Sequence, residues 1–300
     1  MLLALQIVLG IGFAGTGIGM FAKIFKDPAK KAELKAGGSG ARWAKAMFVG
    51  VIANFVDTLG CGSFAPSTFL YKAFGDIEDI YIPGTLNVGD TFPVIFEALI
   101  FTASVECDPI FLISMLVAAA VGSFGFATIV TKWDKQKIRL AMGICMLVLS
   151  PVMLCKNFGV GPFGAIGTAS GLSGWKFIVA VALNVLWGAL MDIGFGLYAP
   201  CMATCLLLGV SGTTCFPVFM GSCAMLMPCC SIEFIKTGRF DSVYTIGNFL
   251  GGMVGVFIAW KFITNLSMFW VVNLVCVVLL WTSYTMLHEY SVDKKKAANA

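Results

Sequence analysis

Charged side chains are scarce in this chain, and histidine is almost absent. Asp, Glu, Lys and Arg make up 12% of the 300 residues, and His288 is the single histidine. A soluble globular chain carries about 25% charged residues, so a water-soluble domain is excluded. A disordered chain needs low hydrophobicity and a nucleic-acid-binding protein needs a basic face, so both are excluded as well. The sequence has no Ser-His-Asp or Cys-His set, no zinc-ligand spacing and no Walker loop, so it predicts neither an enzyme nor a bound cofactor.

Apolar residues dominate what is present. They make up 59% of the chain, the mean hydropathy is +0.91, and most of the 11 cysteines lie inside apolar runs, where a thiol packs as a small apolar group. A membrane-spanning helix needs about 20 mostly apolar residues. The first run lacks the basic region and cleavage site of a signal peptide, so we expect it to be retained. The seven predicted spans are 2–22, 84–105, 109–131, 138–155, 212–235, 242–264 and 268–288.

Two further apolar stretches, 43–74 and 175–208, are interrupted by glycines and resemble each other. Residues 59–66 read LGCGSFAP and residues 193–200 read IGFGLYAP. Each half of an interrupted stretch is too short to cross the hydrocarbon core, which is about 30 Å thick. The sequence therefore predicts an internal duplication with an interrupted helix in each half. The other matching pairs are 92–94 with 216–218 and 121–122 with 254–255.

The distribution of basic residues indicates how the interrupted stretches run. If each enters the membrane and returns to the same side, all of the 20 Lys and Arg residues except Lys156, Lys176 and Lys261 lie on one side. The positive-inside rule favours this topology, with the N-terminus outside and the C-terminus in the cytoplasm. Each repeat then holds one re-entrant hairpin and three spanning helices, an odd number, so the two repeats are inverted. Inverted repeats with discontinuous helices are typical of secondary transporters.

The predicted fold class is therefore an all-α integral membrane protein, with an N-terminal helix and two inverted repeats. We expect this organisation: an N-terminal transmembrane helix at 1–22, a basic cytoplasmic loop at 23–45, repeat 1 at 44–155, an extracytoplasmic linker at 156–173, repeat 2 at 174–288 and a cytoplasmic tail at 289–300.

The two interruptions are the predicted substrate site. The half-helix that follows each one begins with backbone N–H groups that lack helical partners and with the positive end of its dipole, which suits a small anion. The alternative is that the glycines only permit a kink and close helix packing. The predicted substrate-binding residues are Gly60, Cys61, Gly62, Ser63, Phe64, Ser67, Gly194, Phe195, Gly196, Tyr198 and Ser222.

Carboxyl groups at membrane depth are costly and are functional by default. Asp57 and Asp192 end the first half-helices, and Glu97 lies near the middle of a predicted span. We expect one of them to couple transport to H⁺ or Na⁺, although a cap or a hydrogen-bonded hinge explains their positions equally well. The predicted coupling and gating residues are Asn54, Asp57, Thr58, Asn87, Glu97 and Asp192.

A run of Met and Cys side chains at 222–230 supports an alternative. Thiolates and thioethers favour Cu⁺, so a soft-metal carrier that uses Cys229 and Cys230 stays open. A passive anion channel also stays open, because the interruptions suit an anion in either protein. The first repeat has no counterpart of the Met-Pro-Cys-Cys run, and the sequence predicts no resident metal.

Four segments carry a resemblance to a known family. They are NFVDTLGCGSFAP at 54–66, IPGTLNVG at 82–89, GFGLYAP at 194–200 and MGSCA at 220–224. On these residues the chain resembles the TauE/SafE sulfite exporters, also called sulfite/sulfonate-type anion permeases, over about 44–288. The resemblance implies a multi-pass carrier of the bacterial cell membrane for small sulfur-containing anions such as sulfite, thiosulfate or sulfonates. The glycine-rich run departs from the usual pattern at Ser63, Phe195 and Leu197, which leaves the substrate open.

These observations together predict a secondary transporter that works by alternating access. Its expected partners are a small anion, the lipid bilayer and H⁺ or Na⁺, with no nucleic acid. The transport direction and a homo-oligomeric state are left open by the sequence.

Overall fold

The computed structural model describes residues 2–36, 40–78, 80–130, 135–160, 167–191, 197–265 and 267–298. Within these ranges the chain is helical, and its only β feature is an isolated bridge between Ala169 and Val210. A five-residue π-helical segment, Asp57–Cys61, follows α3. The helices are α1 Leu2–Lys26, α2 Pro28–Ala36, α3 Gly40–Val56, α4 Phe64–Phe74, α5 Ile82–Ser104, α6 Pro109–Val130, α7 Lys135–Phe158, α8 Gly174–Met191, α9 Tyr198–Leu208, α10 Gly212–Thr237, α11 Ser242–Thr264 and α12 Met268–Ala298.

Six helices, α1, α5, α8, α10, α11 and α12, are long and apolar enough to cross a membrane. They expose large apolar side chains that water would not favour, such as Ile18 of α1, Phe257 of α11 and Trp281 of α12. The chain is therefore a multi-pass all-α membrane protein, which confirms the predicted class. The predicted spans differ from these six in two ways. Helix α8, the first half of an interrupted stretch, is itself long enough to span, and the predicted spans 109–131 and 138–155 contain shorter apolar segments, Pro109–Gly125 and Met146–Cys155, among the described residues.

The helices form two compact units. The first unit comprises Met1–Val105 and Met220–Thr264, and the second comprises Glu106–Phe219 and Asn265–Ala300. Each unit combines helices from both predicted repeats, because α3 packs on α11 in the first unit and α6 packs on α8 in the second. The compact units therefore differ from the repeats in the sequence, whose boundaries stay predictions.

Glycines bring α3 and α11 into backbone contact in the first unit. A Cβ atom on Gly255 of α11 would overlap the carbonyl oxygen of Val51, and one on Gly251 would overlap that of Met47. Gly50 of α3 meets the backbone of α11 in the same way. Small residues at such crossings let helices in a membrane approach closely, where van der Waals packing holds them.

The second unit contains the equivalent crossing. A Cβ atom on Gly122 of α6 would overlap the carbonyl oxygen of Val185 in α8. In the predicted repeat, Gly122 matches Gly255, and Val185 stands in α8 where Val51 stands in α3. The duplication seen in the sequence thus recurs as the same helix crossing, built once in each unit.

We expect Gly122→Ala and Gly255→Ala to destabilise the protein. The added methyl group meets a backbone carbonyl that cannot move aside, and overpacking of this kind costs about 1–3 kcal/mol. Thermal unfolding in detergent measures the effect. Gly125→Ala, on the same helix as Gly122 but with open space around it, is the matched control. Equal melting temperatures for Gly122→Ala and the control would contradict the close crossing.

Helices extend into two of the predicted segments, whose boundaries stay predictions. The segment 23–45 is not an irregular loop, because α1 continues to Lys26 and α2 occupies Pro28–Ala36. Pro28 suits the first turn of α2, and the Asp27 carboxylate accepts the backbone N–H of Ala29 at 3.0 Å. The predicted tail at 289–300 is likewise not separate, because α12 continues to Ala298.

Candidate functional site

The interruption between α3 and α4 is a backbone feature that depends on glycine. Gly60 has φ 99° and ψ 6°, and Gly62 has φ 80° and ψ 140°. L-amino acids rarely adopt such angles, so these positions stop the helix of α3 before α4 begins at Phe64. The π-helical segment Asp57–Cys61 therefore ends at these glycines, where the backbone leaves the regular hydrogen-bond pattern of a helix.

The chain reverses direction at this interruption. Lys45, near the start of α3, forms an ion pair of 3.0 Å with Asp76, which lies just beyond the end of α4. Arg42 donates to the carbonyl oxygen of Asp76 at 3.2 Å. Tyr71 of α4 packs in one apolar cluster with Ala46 of α3. Helices α3 and α4 thus form a hairpin whose two ends lie together.

The second unit contains a matching hairpin of α8 and α9. A Cβ atom on Gly209, directly after α9, would lie 3.6 Å from Nζ of Lys176 at the start of α8. Closer to the interruption, Trp187 Nε1 donates to Thr204 Oγ1 at 3.2 Å. The predicted site residues Asp192, Gly194, Phe195 and Gly196 lie outside the described residues.

A buried polar cluster lies at the interruption in the first unit. Its centre is Asp90 of α5, which accepts hydrogen bonds from Asn54 Nδ2 at 3.2 Å and from Ser63 Oγ at 3.0 Å. Asn248 of α11 donates its Nδ2 to the same Asp90 oxygen as Asn54. All four side chains are buried. Three donors from three different segments therefore converge on one carboxyl group.

Two further carboxyl groups extend this cluster. Thr58 donates to Glu97 Oε1 at 2.6 Å. Asp57 is 2% exposed, and both the backbone N–H and the hydroxyl of Ser63 approach its carboxyl group. We call the full set the break cluster, and it consists of Asn54, Asp57, Thr58, Ser63, Asp90, Glu97 and Asn248.

Two oxygen atoms of the break cluster receive no hydrogen bond from the residues that the structure describes. Asp57 Oδ2 and Asn54 Oδ1 are buried and have no hydrogen-bond partner within the described part of the chain. The four ion pairs found there all lie elsewhere, so neither Asp57 nor Asp90 pairs with a described Lys or Arg. Buried acceptors without donors cost free energy, so this arrangement calls for a positively charged or hydrogen-donating species.

Glycines determine how closely the helices meet around the break cluster. A Cβ atom on Gly252 of α11 would meet Asn54 and Pro93, and one on Gly89 of α5 would meet Asn248 at 3.1 Å. Helices α3, α5 and α11 therefore converge on the cluster at distances that only small residues permit.

The structure brings together five of the predicted residues: Asn54, Asp57, Thr58, Ser63 and Glu97. Gly60 and Gly62 form the interruption beside them, and the side chain of Cys61 lies outside the described part. Asn87 does not join the cluster, because its amide donates to the carbonyl oxygen of Pro83 in its own helix at 2.8 Å.

The remaining predicted substrate residues lie apart from the hydrogen bonds of the cluster. Phe64 packs against the apolar cluster that contains Tyr71, and Ser67 and Ser222 are fully buried on α4 and α10. Tyr198 begins α9 in the second unit, where its ring lies 4.7 Å from that of Phe219. Their proposed roles stay predictions.

Sequence reasoning missed Asp90 and Asn248 as site residues. The signal was present for Asn248, because an amide in the middle of an otherwise apolar span is costly in the same way as Glu97. Asp90 of α5 is completely buried, so the same cost applies to its carboxyl group.

The Met/Cys run gains no metal-binding geometry. Cys229 is exposed and Cys230 is half-buried. Across the described ranges, no group of three or more His, Cys, Asp or Glu side chains is placed to hold a metal ion. The soft-metal alternative stays open.

A second charged cluster fixes α2 to the segment that precedes α11. Lys30 donates to the carbonyl oxygen of Phe240 and forms an ion pair of 3.0 Å with Glu33. Arg42 pairs with Asp241, and Ser242 donates to Glu33 at 2.9 Å. Burial and the neighbouring Glu33 raise the pKa of the Asp241 carboxyl to about 7, although Arg42 acts in the opposite direction.

This raised pKa predicts a stability that falls as the pH rises. The folded protein holds a proton on Asp241 that the unfolded chain releases above the ordinary pKa of 3.8. The stabilisation is therefore complete below that value and is lost as the pH passes through about 7. We expect the melting temperature to fall between about pH 4 and about pH 7, where only the folded protein holds the proton, and Asp241→Asn to flatten this profile. A wild-type profile that rises over this interval would contradict the prediction.

Comparison of the chain with protein-family models, with curated proteins and with solved structures gives no match.

Proposed function

We propose that this protein is a secondary transporter that moves a small sulfur-containing anion across the bacterial cell membrane, coupled to a cation. The observation that carries the proposal is the break cluster: three buried carboxyl groups at an interrupted helix inside an apolar bundle. Ionisable groups in such a place mark ion pathways in membrane proteins, and interrupted helices form the substrate and coupling sites of transporters.

The start of α4 supports an anionic substrate. Ser63 is the N-cap of α4 but makes no capping hydrogen bond to it, because its hydroxyl donates to Asp90. The first N–H groups of α4 are thus not capped by that side chain, and the positive end of the helix dipole lies there too. Among the described residues, no atom would lie within 4 Å of a Cβ atom on Gly62, which leaves room for a small ligand beside this helix end.

The carboxyl groups beside this helix end favour coupling to a cation. An anion at the start of α4 would be repelled by a negative charge on Asp90, whose carboxyl is hydrogen-bonded to Ser63. A cation that neutralises the break cluster removes this repulsion, so the anion and the cation bind better together than apart. This reciprocity is the thermodynamic requirement for symport.

The hairpins support alternating access with two related halves. Each unit contains one hairpin and one glycine crossing at matching positions of the sequence. The proposal takes these as the two re-entrant hairpins of an inverted repeat, with the N-terminus outside and the C-terminus in the cytoplasm. The sulfur-containing class of substrate rests on the resemblance to the TauE/SafE exporters.

The test is exchange by the purified protein in proteoliposomes. Thermal stabilisation in detergent first selects a ligand among sulfite, thiosulfate, sulfate, taurine, sulfoacetate and chloride, since a ligand at about 100 times its Kd adds about 2.7 kcal/mol. We then expect counterflow, in which an internal unlabelled anion drives uptake of the labelled one. Uptake without counterflow would indicate a passive channel. Stabilisation by Cu⁺ alone, lost when Cys229 and Cys230 are replaced, would overturn the anion proposal in favour of a soft-metal carrier.

A further inference from the structure

We infer that Asp57 and Asp90 share one proton through the hydroxyl of Ser63, and that this proton is the coupling ion. The inference rests on the proposed function, because it names the cation of the same transport cycle. Its starting points are two buried acceptor oxygens, Asp57 Oδ2 and Asn54 Oδ1, for which the described ranges supply no donor.

Asp90 has the surroundings of a charged carboxylate. It accepts hydrogen bonds from Asn54, Asn248 and Ser63, all buried. Hydrogen bonds directed at a carboxylate stabilise its charged form. The same three donors also occupy the positions from which a metal cation would bind, because their hydrogen atoms point at the Asp90 oxygens. Sodium is therefore disfavoured at this carboxyl group.

Asp57 has the surroundings of a neutral acid. It is buried, it lies near Asp90, and no described Lys or Arg pairs with it. Two adjacent carboxyl groups in a dry environment do not both ionise, and one of them keeps a proton. With Asp90 stabilised by three donors, the proton resides on Asp57.

Ser63 connects the two acids. Its Oγ lies 3.0 Å from Asp90 Oδ2 and approaches the Asp57 carboxyl as well. When Asp57 O–H donates to Ser63 Oγ and the Ser63 O–H passes its hydrogen to Asp90 Oδ2, one proton moves from Asp57 to Asp90 and the hydroxyl is restored. The proton therefore moves between the acids without a charged intermediate on Ser63. Because Ser63 is also the N-cap of α4, movement of the hairpin would make or break this connection.

The experiment measures uptake of radiolabelled thiosulfate into proteoliposomes under an imposed pH gradient, with a pH-sensitive dye outside. A gradient of one pH unit, acid outside, drives about a tenfold accumulation for each proton carried with the anion. We expect wild-type protein to approach this value and to make the external medium more alkaline, and we expect a sodium gradient to have no effect. Uptake that follows the sodium gradient, or that moves no protons, would overturn the inference and leave the anion transporter intact.

Variants locate the proton. Asp57→Asn is expected to lose the accumulation driven by the pH gradient, Asp57→Glu to retain part of it, and Ser63→Ala to slow it. Ser150→Ala, which removes the hydrogen bond of a buried serine to Cys276 in the second unit, is the matched control. If Ser150→Ala slowed the accumulation as much as Ser63→Ala, both effects would come from general destabilisation, and the role of Ser63 would be overturned.

Infrared spectroscopy tests the inference without transport. A buried protonated carboxyl group has a C=O stretch distinct from that of a carboxylate. We expect this band in the wild-type protein and a loss of its intensity in Asp57→Asn, measured at about pH 9, where Asp241 has released its proton. If thiosulfate is not transported at all but the band behaves in this way, the proposed substrate is wrong and the shared proton stands. If the band is unchanged in folded Asp57→Asn protein, the shared proton is overturned whatever the transport result.

Discussion

Replacing Asp90 with alanine is expected to abolish transport and to destabilise the protein strongly. The substitution removes the acceptor of three buried hydrogen bonds. Asn54 Nδ2 keeps its bonds to Gly50 and Asn248, whereas Asn248 Nδ2 and the Ser63 hydroxyl lose their acceptor. An unsatisfied buried polar group costs about 1–3 kcal/mol, so a loss on the order of 3 kcal/mol is expected for the network. Thermal unfolding in detergent and counterflow in proteoliposomes measure the two effects.

Asp108→Ala is the matched control for this prediction. Asp108 accepts the backbone N–H of Phe111 at 2.7 Å at the start of α6, and the loss of such a cap costs about 1 kcal/mol. Both variants replace an Asp that accepts hydrogen bonds, but only Asp90 is completely buried in a network. An Asp90→Ala protein that unfolds at the same temperature as Asp108→Ala would contradict the assignment of Asp90 as the centre of the break cluster.

Replacing Gly62 with alanine is expected to reduce exchange by about tenfold or more, because it changes the backbone at the interruption. Gly62 has φ 80° and ψ 140°, a conformation that costs an L-residue about 1–3 kcal/mol. A Cβ atom there would meet no described residue within 4 Å, so the expected effect comes from the backbone and not from a steric clash. Strain that disfavours the transport-competent conformation by 1.4 kcal/mol lowers its population about tenfold.

Gly75 supplies the control for this backbone effect. It caps α4 in the left-handed conformation, with φ 64° and ψ 18°, and it too has open space around it. Gly75→Asn is expected to retain exchange, because Asn tolerates this region better than other residues with a side chain. Equal exchange by wild-type protein and Gly62→Ala would contradict a role for the interrupted backbone in transport.

Local properties of the sequence were sufficient to predict the helices and the interruption. Apolar runs of about 20 residues predict spanning helices because the thickness of a membrane sets their length. The pairs of glycines at 60 and 62 predict the break, because only glycine takes a positive φ without strain. The sequence match between the two halves has a counterpart in the structure, because Gly122 and Gly255 each meet a carbonyl oxygen at equivalent helix crossings.

The segment between α1 and α3 shows where local interpretation was incomplete. Its many Lys residues led to the prediction of a solvated loop, but Lys, Ala and Glu are also good helix formers. The structure forms α2 there and buries Lys30 against the carbonyl oxygen of Phe240, which lies 210 residues further along the chain. Composition alone does not distinguish a solvated basic loop from a helix with a distant partner.

The amino-acid sequence by itself determined the helical membrane class, the duplication and the position of the interruption, because hydropathy and backbone preference act between near neighbours. Only the tertiary structure decided which polar residues form the site. Asn248 reaches Asp90 across 158 residues of sequence, and this contact exists because Gly89 and Gly252 let α5 and α11 approach closely. Such a pairing depends on how separate helices pack, so it cannot be predicted from the local sequence of either helix.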